Sequence, residues 1–119
     1  CGLEAFNITN GDYFRWKNLW PRIAATFDMP VGELQTISLA QRMSEKAELW
    51  RGMTEKYGLK SIPYADLVGW PFADYVFACD WDVMTDVTKV HRFGFHDVVD
   101  TEEMFVRLLT RFREERIVP

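Results

Sequence analysis

Apolar side chains recur at helical spacing in three separate stretches of this chain, with glycine and proline standing between them. A face that repeats every 3.6 residues belongs to a helix that buries one side, so this pattern restricts the fold more than any other feature. The first stretch carries Trp16, Leu19, Trp20, Ile23 and Phe27 and stops before Pro30. Pro21 lacks an N–H and is tolerated only in a first turn or at a kink. A helix is therefore expected over about 17–28, entered through a looser aromatic turn. The second stretch, Leu39, Met43, Ala47, Trp50, Met53 and Tyr57, comes after a capping box of Ser38 and Gln41 and ends at Gly58. It predicts the longest helix, 39–57, with Lys46–Ala47 as the place where it would break. In the third, Asp100 and Glu103 open a helix over 101–115 whose face is Phe105, Leu108, Leu109 and Phe112.

Two stretches alternate apolar and polar instead. Residues 5–9, AFNIT, run into the turn signal Asn10–Gly11 and predict a short strand, after which Asp12 is placed to cap the first helix. Residues 81–85, WDVMT, alternate in the same way. Asp86 then caps a short helix, Val87 to Phe93, with Lys89, His91 and Arg92 in its last turn, where the helix dipole favours cations. The run YADLVGWPFADYVFA, 64–78, is nearly all apolar, and Gly69 and Pro71 limit it to short helical turns. The fold class expected is mainly α with a few short strands (α+β), as one domain over 1–119.

Charge excludes some functions. The net charge is -4 and no basic run occurs, which argues against nucleic-acid binding. No apolar stretch approaches the roughly 18 residues of a membrane span. The start, CGLEAFN, lacks the basic and apolar regions of a signal peptide, and a cytoplasmic location is expected. Cys1 and Cys79 make neither a disulfide framework nor a zinc site. A first residue of Cys1 rather than Met, opening directly into a strand-like run, reads as a piece of a longer protein.

Tyr13–Phe14–Arg15–Trp16–Lys17 has the form Y-x-x-x-K, the catalytic spacing of short-chain dehydrogenases. A working pair needs both side chains on one helix face and a bound nicotinamide. Here Tyr13 abuts a turn and no G-x-G-x-x-G stands after a strand, so the match is taken as accidental and no catalytic residue is assigned. His91 and His96, five apart across Gly94, lack metal-pair spacing, and Asp80, Asp82 and Asp86 lack the glycine and glutamate of a calcium loop. No metal site is expected. The aromatic block Trp70, Phe72, Tyr75, Phe77 and Trp81 fits either core or the wall of an apolar pocket or interface.

Taken whole, AFNITNGDYFRWKNLWPRIAATF, ISLAQRMSEKAELWRGMTEKYGL, TDVTKVHRFGFHDVVDTEEMF and the ending FREERIVP resemble the PRISE family of extended short-chain dehydrogenases, the progesterone 5β-reductase and iridoid synthase-like enzymes. The resemblance covers essentially all 119 residues but only the C-terminal third or so of such an enzyme. It implies the C-terminal substrate-binding portion of an extended Rossmann-type dehydrogenase, without the Gly-rich cofactor half. NADPH or NADH would be held by that missing Rossmann half, and this chain alone would hold no cofactor and be inactive. Residues 6–9 would join the parent's sheet. Trp70, Phe72 and Tyr75 match the segment that contacts an enone substrate, so the parent would reduce the C=C bond of a small apolar enone. The exposed strand and helix faces of the isolated chain would drive self-association.

Two alternatives remain. A stand-alone helical interaction or dimerisation module would use the five tryptophans as an interface. A nucleotide-sugar epimerase lobe would need cations for a diphosphate, and Arg15, Lys17 and Arg22 are the nearest cluster.

Overall fold

A computed structural model describes residues 2–119; Cys1, and the reading given to it, lies outside the described residues. The helices in chain order are α1 (Trp16–Thr26), α2 (Leu39–Met43), α3 (Ala47–Tyr57), α4 (Tyr64–Leu67), α5 (Trp70–Phe77), α6 (Thr88–Arg92) and α7 (Thr101–Glu114). The stretch 39–57 is two helices separated at 44–46, and α7 is the longest helix, not 39–57.

Among the described residues there is no strand, which corrects the expectation of strands at 5–9 and 81–85. The physical reason is that a strand is a pairing, and alternation supplies only one side of it. Residues 5–9 meet side chains in place of a neighbouring edge. The Lys89 ammonium donates to the Ala5 carbonyl at 2.9 Å and to the Glu4 carboxylate at 2.6 Å, and it lies 5.0 Å from the Phe6 ring centre. Asn7 Nδ2 donates to the Asp86 carbonyl at 3.1 Å.

The residues form two compact units, Cys1–Val31 with Asp82–Leu108, and Gly32–Trp81 with Leu109–Pro119. In the first, Leu19 is fully buried and Val90 nearly so. Phe14, Trp16 and Phe105 cluster with ring centres 5.2 to 6.4 Å apart, Trp16 meeting the other two edge to face, and Phe6 meets Phe93 at 5.0 Å. Asp12, expected to cap α1, reaches across the unit instead. Its carboxylate accepts from the Thr101 N–H at 2.7 Å and the Thr101 hydroxyl at 2.6 Å, closing the start of α7. Asn10 Nδ2 donates to the same hydroxyl oxygen at 2.9 Å, and the Val99 N–H donates to the Asn10 carbonyl at 2.7 Å. Gly11 makes this turn with φ +81, and a Cβ there would stand 3.2 Å from Val98 Cγ2.

In the second unit, α2 packs on α5. Gly58, left-handed at φ 60, ends α3 by the αL route. Trp50 Nε1 donates to the Ile62 carbonyl at 3.0 Å, and the Tyr64 hydroxyl donates to the Met43 carbonyl. The Lys60 N–H donates to the Arg116 carbonyl at 2.7 Å, which ties the C-terminal residues to the end of α3.

Candidate functional site

The aromatic block becomes α5, an eight-residue helix entered through Gly69 with Pro71 in its first turn, where a missing N–H costs no hydrogen bond. Residues three apart share a helix face. Phe72 and Tyr75 do so here, 70% and 63% exposed, with ring centres 6.4 Å apart and planes 30° from parallel. Trp70 is turned the other way. It is half-buried, and its ring lies 6.3 Å from that of Tyr64. Of the three residues expected to meet a substrate, the fold brings Phe72 and Tyr75 together and sets Trp70 apart, at the root of the helix.

The opposite face of α5 carries a carboxylate that sequence reasoning missed. Asp74 Oδ1 accepts from the Leu39 N–H at 2.6 Å, and Oδ2 accepts from the Ala40 N–H at 3.1 Å and the Ser38 hydroxyl at 2.9 Å. Ser38 Oγ in turn accepts from the Gln41 N–H at 3.3 Å. The first amides of α2 have no partner within their own helix. They are satisfied partly by the local cap and partly by Asp74, 35 positions away from Leu39. The Ala40 and Leu39 amides, with the Ser38 hydroxyl, hold the Asp74 carboxyl below its ordinary pKa. One signal was available in the sequence: Asp66 and Asp74 are the only carboxylates in the apolar run 64–78.

The other candidates are dispersed. Tyr13 is exposed and precedes α1, which begins at Trp16, so its spacing to Lys17 does not translate into one helix face. Arg15 is paired with Asp82 through both terminal guanidinium nitrogens, and Arg22 meets Glu102 at 3.2 Å. Two of the three cations that a diphosphate would need already hold carboxylates. His91 and His96 do come together, with ring centres 5.5 Å apart, because the chain reverses at Gly94 with φ 91. Among the described residues, no group of three or more His, Cys, Asp or Glu is placed to hold a metal. No described helix is long and apolar enough to cross a membrane.

A dinucleotide needs a strand, a glycine-rich turn and a helix N-terminus in succession. The described residues contain no strand, and the left-handed glycines Gly11, Gly58 and Gly94 serve a turn and two helix ends. Among the described residues, no glycine-rich turn joins a strand to a helix.

Residues 2–119 match the family model described as a PRISE-like Rossmann-fold domain. The chain is 35% identical over its full length to 36% of the short chain dehydrogenase gsfE of Penicillium aethiopicum. Over 98% of its length it is 30% identical to the (S)-8-oxocitronellyl enol synthase of Antirrhinum majus and 28% identical to that of Catharanthus roseus, covering 30% and 31% of those proteins. The chain thus spans about a third of the length of the curated relatives it matches.

Proposed function

We infer, from the premise that this chain belongs to the PRISE-like Rossmann-fold family, that it is the substrate-facing lobe of an NAD(P)H-dependent oxidoreductase of the extended short-chain dehydrogenase type. The whole enzyme is assigned the reduction of the C=C bond of small apolar enones. The exposed Phe72–Tyr75 pair on α5 carries this reading, because apolar ligands are held by aromatic walls with few polar groups. Trp70, set against Tyr64, anchors that wall. The names of the plant relatives point the same way: an enol is the product expected when a conjugated carbonyl takes hydride at its β-carbon and a proton at its oxygen. The cofactor, NADPH or NADH, is assigned to the Rossmann half outside these residues. A cytoplasmic enzyme is the setting in which Cys79 stays reduced. The ion pairs of Arg15 and Arg22 weigh against an epimerase lobe.

The test has two arms. Full-length enzyme is assayed for NADPH- or NADH-dependent reduction of small enones, and the isolated chain is titrated with both cofactors by calorimetry. Enone turnover by the enzyme, with no saturable heat from the isolated chain, is expected. Saturable binding would put the cofactor site within these residues and restore Tyr13 and Lys17 as candidates. A full-length protein that reduces no enone would overturn the substrate reading in favour of an interaction module, for which the exposed Leu34, Tyr75 and Trp81 are suited.

A further inference from the structure

We propose that Asp74 is a positioning residue: by capping α2 from within α5, it sets the rotation of α5 and so aims the Phe72–Tyr75 pair at the substrate. The proposal rests on the reading of α5 as a substrate wall and adds the device that holds the wall.

α5 has eight residues, and a helix this short is not stable by itself in water. Its orientation must come from tertiary contact. Successive residues of a helix are rotated by about 100°, so a slip of one position would carry Phe72 and Tyr75 off the face they share. The hydrophobic effect is non-directional, so apolar burial alone restrains such a slip less sharply than a hydrogen bond does. The contacts of Asp74 are directional. Its two oxygens take two successive backbone amides, Leu39 on Oδ1 and Ala40 on Oδ2, and Ser38 Oγ donates to Oδ2 as well. Two acceptors held on two fixed donors define an angle as well as a distance, as a bidentate pair does. Asp74 lies two positions after Phe72 and one before Tyr75, at the middle of the face-setting turn. Trp70, one helical turn earlier, sits on Tyr64 and fixes the same side of the helix at its start. The outward aromatic face is then the consequence of two inward attachments. An asparagine at 74 would turn an NH2 group toward amide or hydroxyl donors, whereas a glutamate would keep both acceptors at a slightly longer reach.

The experiment compares full-length enzyme with its Asp74→Ala, Asp74→Asn, Asp74→Glu and Phe72→Ala variants, using a short and a long linear enone as probes. KM and kcat for each enone and the affinity for NADPH are measured together. Misplacement of a positioning group by an ångström costs up to about a hundredfold. Asp74→Ala and Asp74→Asn are therefore expected to raise the long enone's KM by roughly tenfold or more while NADPH affinity stays within about twofold. Asp74→Glu is expected to recover part of that loss. In the Phe72→Ala background, Asp74→Ala is expected to add little, because both act through one contact. Hydrogen exchange at the Leu39 and Ala40 amides is expected to quicken in Asp74→Ala.

A Phe72→Ala effect on enone KM without an Asp74→Ala effect would overturn the proposal and leave the substrate wall standing. If neither changes KM, the wall itself is refuted and the proposal with it. Equal losses of enone and NADPH binding, with no recovery in Asp74→Glu, would reduce Asp74 to a folding residue and overturn its positioning role.

Discussion

Asp12 stands just past the Asn10–Gly11 turn, where local chemistry makes it a cap for the helix next in the chain. Its oxygens instead hold the N–H and hydroxyl of Thr101, 89 positions on, and Thr101 is the one buried polar residue among those described. The Thr101 hydroxyl, then its amide, hold the Asp12 carboxyl below its ordinary pKa. A carboxylate with a lowered folded-state pKa contributes stability above its unfolded pKa of about 3.9, and that contribution is lost as pH falls through the folded value. Stability should therefore decline below about pH 4, and Asp12→Asn should flatten that decline while lowering stability at neutral pH by about 1 kcal/mol, the usual worth of a cap. Urea midpoints followed by circular dichroism between neutral pH and acid check this. Parallel pH profiles for the two proteins would exclude the lock. Asp12 and Asp74 share a lesson: the sequence marks both as capping residue types but does not mark which helix each one caps.

The elements carry their local signals where those signals concern neighbours along the chain. Ser38 accepts from the Gln41 amide at the start of α2, Gly58 is left-handed after α3, and Asp100 accepts from the Glu103 amide at 2.8 Å. Asp86 likewise accepts from the Thr88 amide at 2.7 Å before α6. α1 departs from its signal. It begins at Trp16, ahead of the expected start near 17, and takes Pro21 into its interior. Burial of Leu19 and the Trp16 ring contacts with Phe14 and Phe105 outweigh the missing hydrogen bond. An interior proline costs about 3 kcal/mol, offset in part by the freedom it removes from the unfolded chain. Pro21 is exposed, so Pro21→Ala should raise stability by roughly 1–2 kcal/mol, seen as a higher midpoint in thermal melts followed at 222 nm by circular dichroism. A lower midpoint would show that the ring itself is needed for packing.

At the scale of the whole molecule, the chain exposes 9718 Å², whereas a folded monomer of 14.0 kDa exposes about 6,700 Å². Ile8, Val83, Met84 and Val98 of the first unit and Leu34, Phe72 and Tyr75 of the second are among the large apolar side chains in contact with water. Exposed apolar side chains in such number favour association. The isolated chain should therefore self-associate, with a weight-average mass that rises above 14.0 kDa with micromolar concentration in sedimentation equilibrium. A constant 14.0 kDa across that range would rule this out.

The sequence by itself determined the interactions that close within a few residues: helix faces, the Ser38 cap, the Gly58 stop, the turn at Gly11, and the motif pattern that marks the family. Those involve atoms that local geometry brings together whatever the rest of the chain does. Only the tertiary structure decided which helices Asp12 and Asp74 cap, that Phe72 and Tyr75 share an outward face while Trp70 turns to Tyr64, and that residues 5–9 meet side chains in place of a strand. In each of these cases one local pattern is compatible with several partners. The choice among them is made by whichever distant amide, ring or ammonium the fold delivers to it.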